Sequence, residues 1–281
     1  MKRLLLLVAL CGSIVAAKAQ APERQNWNGG FPLYGNVESV TITEYKLHDK
    51  FGEVIRGDVQ DKKKYCFNNV GDVIERAEYN SDGSLNEKCI YKYDSSGNMI
   101  ELAGYNSDGS LSWKYICKHD SSGNRIEQAE YNSDGSLDEK YIAKYDSSGN
   151  MIEKARYNSD GSLARKYIYK YDSSGNKIEW AWYNSDGSLC DKYIYKYDTS
   201  GNMIEEAKYS SDGSLNEKYI YKYDSSGNRI EDARYNSDGS LNWKRIFKYD
   251  SSRNLIEATE YKSEALIPVS QEEYKIVYRN E

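Results

Sequence analysis

The sequence has few aliphatic residues for its length, two histidines and one long apolar run, which lies at its beginning. No second run of that length follows, which excludes a later membrane-spanning helix. The mean hydropathy of -0.84 and the formal net charge of -6 are typical of an unfolded chain. Because the chain has no basic stripe, we also exclude nucleic acid as a partner.

A 26-residue unit nevertheless fills most of the chain. Seven near-identical copies run from Tyr79 to Glu260, and an eighth begins at Tyr261. A fixed period of this size indicates stacked supersecondary units. Since the 28 tyrosines recur in register with strand and turn residues, we expect an ordered chain in spite of its composition.

The first 19 residues have the form of a secretory signal. A basic start precedes the apolar run Leu4–Ala17, and a small-x-small pattern ends at Ala19. We therefore predict a signal peptide over residues 1–19 and a mature chain that begins at Gln20. The alternative is a lipid anchor on Cys11, although the residue before it is larger than such a site favours.

Two turn sequences alternate in every repeat. Asp94–Asn98 reads Asp-Ser-Ser-Gly-Asn, and Asn106–Ser110 reads Asn-Ser-Asp-Gly-Ser. An Asx residue first and a glycine fourth match a type I turn that is closed by a glycine bulge. The runs between the turns, such as Leu85–Tyr93 and Met99–Tyr105, have the length and composition of strands. The sequence therefore predicts an all-β, elongated antiparallel hairpin array with two strands per repeat.

Alternation along each strand predicts two faces. One face would carry most of the tyrosines, and its members in one repeat are Leu85, Cys89, Tyr91, Tyr93, Glu101, Ala103 and Tyr105. The other face would carry Lys88, Ile90, Lys92, Ile100, Leu102 and Gly104. With three-residue loops, Tyr91 would lie opposite Glu101, Cys89 opposite Ala103, and Ile100 opposite Ile116.

Residues 20–62 and 261–281 depart from the repeat, and we predict that they cap the two open edges of the sheet. The first segment contains the β-rich run Val37–Leu47 and a turn near residues 49–52, and the second contains a final strand that begins near Pro268. The repeats would occupy residues 63–260. An open sheet, a superhelix and a sheet curled on its tyrosine face are all compatible with this pattern.

The run Tyr93–Asn98 resembles the Tyr-Asp-x-x-Gly signature of YD repeats, which occur in RHS-type bacterial surface and toxin proteins. The same signature begins at Tyr145, Tyr171, Tyr197 and Tyr223. His119 replaces the tyrosine in one copy, and Arg253 replaces the glycine in the last. The resemblance implies strips of β-hairpins at the cell surface, with carbohydrate binding and adhesion as functions. Hairpin arrays of the MORN type are a second likeness.

No unique catalytic constellation stands out, because near-identical repeats offer the same residues in every copy. We expect His48 and His119 to be surface or packing residues. Glu101 and its equivalents in the other copies are expected to form a solvated ladder rather than catalytic carboxylate pairs. The Asn-x-Asp-Gly turns resemble calcium loops but supply few oxygen ligands. We therefore predict no enzymatic activity, no metal and no cofactor.

Trp180 and Trp182 are the candidate ligand-binding residues, because they lie in slots that are mostly polar in other repeats. We predict that they lie on the lysine and isoleucine face, with Trp180 opposite Ile168. Trp182 would lie opposite Lys166 and beside Cys190. Such an aromatic patch with a cationic edge suits an acidic or neutral glycan. The alternative is that the aromatic residues only pack the array together.

Two kinds of substitution within the repeats predict details of the structure, namely cysteine in place of tyrosine and arginine in place of the turn glycine. Cys89 and Cys117 replace tyrosine in strands that lie about 9 to 10 Å apart, which is beyond the reach of a disulfide. They should therefore stay unbridged. Arg253 must either adopt the left-handed conformation that glycine favours or change the turn.

The sequence thus predicts an exported, non-enzymatic scaffold for binding or adhesion at a bacterial cell envelope, in the periplasm or on the surface. Identical repeats fit a repetitive partner such as a cell-surface glycan, since weak contacts add together. An envelope protein is another possible partner. A structural spacer or surface-layer protein is the alternative function, and an enzyme with a pocket in residues 20–62 is a third.

Overall fold

The computed structural model describes residues 33–50, 53–262 and 267–279, and the predicted signal peptide lies outside them. The described residues form 18 strands and no helix. The strands are β1 (Val37–Lys50), β2 (Glu53–Phe67), β3 (Val73–Tyr79), β4 (Leu85–Tyr93), β5 (Met99–Asn106), β6 (Leu111–His119), β7 (Arg125–Asn132), β8 (Leu137–Tyr145), β9 (Met151–Asn158), β10 (Leu163–Tyr171), β11 (Lys177–Asn184), β12 (Leu189–Tyr197), β13 (Met203–Ser210), β14 (Leu215–Tyr223), β15 (Arg229–Asn236), β16 (Leu241–Tyr249), β17 (Leu255–Lys262) and β18 (Ile267–Tyr278). Two strands per repeat and the antiparallel hairpin meander are therefore confirmed.

The meander closes into a β-barrel. Each strand pairs antiparallel with the next, and β1 also pairs with β18, for example through Val40 and Ile276. The predicted elongated array with two capped edges is wrong on this point. The two terminal strands do not cover separate edges. Their backbone groups hydrogen-bond to each other, so the closed sheet has no free edge.

The two predicted turns form as expected. In the first, the Gly97 amide donates to the Asp94 carbonyl at 3.1 Å, and the Asp94 carboxylate accepts from the Ser96 and Asn98 amides at 2.9 Å. In the second, the Ser110 amide donates to the Asp108 carboxylate at 2.9 Å. The fourth residue has φ of 83° at Gly97 and 84° at Gly109, a conformation that glycine adopts with little strain.

A β-bulge follows each turn and changes the register. Tyr93 pairs with Met99, but Lys92 pairs with Glu101, so Ile100 is an extra residue on its strand. The same shift follows the second turn, where Ser112 is the extra residue. Because one additional residue reverses the alternation of side chains, every pairing beyond it moves by one position.

The predicted faces are therefore wrong. Tyr91 pairs with Leu102 rather than Glu101, and Cys89 pairs with Gly104 rather than Ala103. Ile116 pairs with Glu101 rather than Ile100. Paired residues share a face. One face holds Cys89, Tyr91, Leu102 and Gly104, and the other holds Lys88, Ile90, Lys92, Glu101, Ala103 and Tyr105.

The face with Tyr91 points into the barrel. A cluster of buried apolar residues on this side includes Val73 of β3, Val40 of β1 and Leu255 of β17. Strands β3 and β17 lie four positions apart around the ring. Side chains on strands this far apart can belong to one cluster only if they point towards the concave side of the curved sheet. We call this the inner face, and the face with Lys92 and Glu101 the outer face.

The tyrosine of the YD sequence links consecutive hairpins. The Tyr93 hydroxyl donates to the Val73 carbonyl at 2.7 Å, beyond the point where β3 and β4 stop pairing at Glu75. The same bond recurs from Tyr145, Tyr171, Tyr197, Tyr223 and Tyr249. This hydrogen bond satisfies a carbonyl past the end of the ladder, which explains a tyrosine in this slot.

His119 occupies this slot in one repeat, with the Met99 carbonyl at the equivalent acceptor position. We predict that His119→Tyr raises the free energy of unfolding by about 1 kcal/mol, because it adds this hydrogen bond. Urea denaturation of the two proteins measures the difference. His119→Phe, which adds a ring without a hydroxyl, is the matched control. An equal gain from Phe and Tyr would assign the effect to packing.

Arg253 adopts the left-handed conformation, with φ of 68°, which is the first of the two expected alternatives. It is the one non-glycine residue with positive φ among those the structure describes. Its guanidinium donates to the Ser226 carbonyl at 2.7 Å and to the Asn228 side chain at 3.2 Å, and it stacks over Tyr34 at 5.3 Å. The adjacent Asn254 is fully buried. The last hairpin is thus tied to its neighbours, which opposes the strain of the turn.

Two substitutions separate the strain from these contacts. Arg253→Ala loses the guanidinium contacts and keeps the strain, whereas Arg253→Gly loses both. We therefore expect the alanine variant to be less stable than the glycine variant by about 1 kcal/mol, and less stable than the unmodified protein. Chemical denaturation measures all three. If alanine and glycine gave equal stability, the turn would not be strained.

Candidate binding surface on the inner face

Repeat-to-repeat variation is concentrated on the inner face. The outer slot of Ile90 is isoleucine in all seven copies, and the outer slot of Lys88 is lysine in all seven. By contrast, one inner slot holds Leu102, Gln128, Lys154, Trp180, Glu206, Asp232 and Ala258. A second holds Gly104, Glu130, Arg156, Trp182, Lys208, Arg234 and Glu260. The residues that could distinguish one ligand from another therefore lie inside the barrel.

The structure brings Trp180 and Trp182 together on the inner face, not on the predicted one. Trp180 pairs with Tyr169 and Tyr193 instead of Ile168. Trp182 pairs with Tyr167 and Asp191, and its indole nitrogen donates to Asp191 at 3.1 Å. The bulge at Ile178 causes the change, because it reverses the alternation of β11 relative to β10.

Lys166, the third predicted residue, lies on the outer face. It pairs with Tyr183 of β11 and forms an ion pair with Glu153 at 2.8 Å. It therefore cannot supply the cationic edge of the tryptophan patch. The residue that does so is its neighbour Arg165, whose guanidinium lies 4.4 Å from the centroid of the Trp182 ring. Sequence reasoning missed Arg165 because it followed the unbulged register.

Trp180 is the centre of a bank of stacked rings. Its ring lies 4.6 Å from that of Tyr193, 6.1 Å from that of Tyr167 and 6.4 Å from that of Tyr169. These spacings fall in the favourable range for aromatic pairs. Burial raises the pKa of the Tyr169 hydroxyl to about 12, whereas Trp180 itself is half-buried. Planar rings with polar tips in this arrangement can stack on a sugar.

Cations flank the ring bank. Lys154 lies 3.9 Å from the ring centroid of Tyr141, and burial together with Arg125 lowers the pKa of its ammonium group. Arg156 pairs across the strands with Arg165 and forms an ion pair with Glu139 at 2.5 Å. Strands β9 and β10 therefore place three cations close together on the inner face.

Acidic residues lie on another part of the inner face. Burial raises the pKa of Glu206, whose carboxylate accepts from the Tyr221 hydroxyl at 3.4 Å. Burial also raises the pKa of Asp232, which is 6% exposed. On β1, burial and then the nearby charge of Glu272 raise the pKa of Glu44. The charge of the inner wall thus changes around the ring.

The outer face carries a repeated ladder of lysine and glutamate. Glu153 accepts from Lys144 at 2.9 Å and from Lys166 at 2.8 Å, and both bonds lower the pKa of its carboxyl. The same lysine and glutamate pair recurs at Lys92 and Glu101 at 2.7 Å. Each such glutamate is neutralised by lysine, which fits the predicted solvated ladder and does not provide a poised acid or base.

The remaining sequence candidates have structural roles in what the structure describes. The Asp94 and Asp108 carboxylates cap their own turns, and no group of three potential metal ligands occurs in the described ranges. His48 lies exposed on β1, and His119 ends β6. No helix among these residues is long and apolar enough to cross a membrane.

All four cysteines in the described residues are free thiols, as predicted for Cys89 and Cys117. Cys89 lies on the inner face, is 1% exposed, and has its pKa raised to about 11 by burial. Cys190 is half-exposed at the bulge of β12.

We predict that a thiol reagent modifies Cys190 at least tenfold faster than Cys89 in the folded protein at about pH 8, since the thiolate is the reactive form. Mass spectrometry of the labelled peptides measures the two rates. In urea the difference should disappear. Equal rates in the folded protein would mean that the inner wall is open at Cys89.

Comparison with known proteins finds one family model and several solved structures that are similar to this chain. Residues 137–182 and 209–260 match the family described as "Protein of unknown function (DUF2963)", which is less than half of the chain. No curated protein matches. The YD-repeat family itself is not shown by these matches and stays a resemblance.

The solved structures that are similar to this chain share little sequence with it, and their TM-scores lie below 0.5. A porin-like protein from Bacteroides uniformis is 8% identical, with a TM-score of 0.46, and the match covers 86% of this chain and 98% of that one. The Photorhabdus luminescens Tc holotoxin pore is 13% identical, with a TM-score of 0.32 and coverage of 86% and 16%. An outer membrane lipoprotein-sorting protein domain from Vibrio parahaemolyticus is 8% identical, with a TM-score of 0.26 and coverage of 88% of each chain. The chain therefore spans about a sixth of the toxin chain.

Proposed function

We propose that this protein is an exported, non-enzymatic β-barrel of the bacterial cell envelope that binds carbohydrate on its inner face. The observation that carries the proposal is the ring bank around Trp180 and Trp182, in slots that vary among otherwise near-identical repeats. Both tryptophans are half-buried, so part of each ring remains open to a ligand. Barrels of about 16 to 18 strands also leave room inside the wall.

The outer wall supports a location in water rather than in lipid. Its lysines project from the middle and one end of the strands, and the Lys144 side chain is 65% exposed. A lysine on the lipid face of a barrel costs about 2 to 4 kcal/mol near the bilayer midplane. The signal-like residues 1–19 support export. The proposed location is therefore the periplasm or the cell surface, without insertion of the wall.

A structural spacer or surface-layer protein is the second candidate. The observation that favours it is the repeat-invariant outer face, where the lysine and glutamate ladder and the Ile90 slot recur in every copy. An identical surface presented many times can bind copies of itself or another repetitive surface. In that case the inner rings would serve only to pack the barrel.

The test uses Trp180→Leu, which places the residue of the Leu102 slot into the ring bank. We expect binding on an array of envelope glycans to fall about tenfold, which corresponds to about 1.4 kcal/mol, because the stacking surface is lost. Tyr183→Leu on the outer face of the same strand is the control and should keep binding.

Thermal unfolding checks that both variants remain folded. If the unmodified, folded protein bound no glycan of the array, the carbohydrate proposal would be wrong and the spacer would be favoured. Equal loss in both variants would show that the effect comes from general destabilisation.

A further inference from the structure

Arg156 and Arg165 form a like-charged pair directly across β9 and β10 on the inner face. Like charges in this position repel each other and destabilise a sheet. Arg156 is held on its other side by Glu139 at 2.5 Å. Arg165 is exposed, and no carboxylate within the described ranges lies at ion-pair distance from it. The pair therefore has more positive charge than its protein neighbours neutralise.

Three other cations of the inner face have acidic partners at ion-pair distance. Arg245 lies directly opposite Glu260 and binds it at 3.2 Å. Lys208 contacts Asp191 at 3.3 Å, and the Arg234 guanidinium contacts Glu217. On β9 and β10, by contrast, Arg156 forms an ion pair with Glu139, whereas Lys154 and Arg165 form none within the described ranges.

An aromatic surface adjoins this pair. Arg165 stacks over Trp182, which adjoins Tyr167 across the strand and Trp180 along it. The planar guanidinium suits a carboxylate or sulfate, because two parallel N–H groups match two oxygens. A sugar ring on Trp182 would place an acidic substituent near the two guanidinium groups. The site thus combines a stacking platform with an anion-binding edge.

We infer that the Arg156 and Arg165 pair binds the carboxylate of an acidic saccharide whose ring stacks on Trp182. This inference rests on the proposed carbohydrate binding and adds the chemical class of the ligand. It also assigns a role to Arg165, which the packing of the barrel does not require.

The opposite side of the ring supports this placement. Strand β10 lies nine strands from β1 in either direction. Strands β1, β17 and β18 present Glu44, Glu260 and Glu272 on the inner face. Arg245 neutralises Glu260 there, but Glu44 and Glu272 form no ion pair within the described ranges, so this side is less favourable for an anionic saccharide than β9 and β10. The charge of the inner face is therefore not uniform, and the side formed by β9 and β10 is the one suited to an acidic ligand.

The probe is tetragalacturonate, and its methyl ester is the neutral control with the same sugar backbone. Calorimetry measures binding of both to the full chain, together with inorganic phosphate alone. We expect the acid to bind about tenfold more tightly than the ester, with affinity falling as salt rises. Arg165→Gln should remove that preference. Lys166→Gln changes the adjacent lysine on the outer face and should leave binding unchanged.

The outcomes separate this inference from the proposed function. Equal binding of acid and ester would overturn the acidic class while leaving carbohydrate binding intact. Phosphate that bound as tightly as the acid would show a site for free anions instead. An unchanged preference in Arg165→Gln, with the fold verified by thermal unfolding, would place the site elsewhere. If neither saccharide bound the folded protein, the inference would fail, and the glycan array would decide the proposed function separately.

Discussion

The extra residue after each turn is the constraint on which the rest of the barrel depends. At Ile100 and Ser112 it reverses the alternation of side chains relative to the preceding strand. As a result, Lys92 meets Glu101 on the outer face, and Tyr91 meets Leu102 on the inner face. Without the bulge, the lysines would face the variable slots and the glutamates would face the tyrosines. One extra residue after every turn thus places the lysine and glutamate ladder on the outer face and the tyrosines on the inner face.

Closure follows from the same repetition and from two atypical end strands. The pairing of β1 with β18 supplies hydrogen-bond partners for the backbone groups of both edge strands. An apolar cluster that includes Val37, Val40 and Tyr274 lies on the inner side of this pairing. Away from the seam, the buried residues of the inner wall include Cys89, Cys117 and Tyr195, and most of its tyrosines are half-buried. The densest packing therefore lies at the seam. The repeats supply the wall, and the ends supply the contacts that hold it closed.

The strands and both turn types were predictable from the sequence, because each depends on residues close together in the chain. For Arg253 the sequence left two alternatives open, and the structure shows the left-handed one. The two faces were not predictable, because a bulge after the loop has no residue signature as clear as the turn glycine. Trp180 and Trp182 were correctly singled out by their slots, but their partners depended on the register. Lys166 was chosen in place of Arg165 for the same reason. Closure was not predictable either, since it pairs segments more than 200 residues apart.

Variation on the inner face is coupled between neighbouring strands, which limits how such a wall can change. Gly104 illustrates this, because a Cβ there would overlap with the Trp113 ring of the next strand. The Trp113 indole in turn donates to Glu87 at 2.9 Å, two strands away. At this pair, a large residue in one repeat is matched by a small one in its neighbour. The outer face has no such dependence, because its lysine, isoleucine, glutamate and tyrosine slots hold the same residue in every copy. The barrel therefore keeps a constant outer framework, while its inner wall can acquire a local combination of rings and charges such as that of β9 to β12.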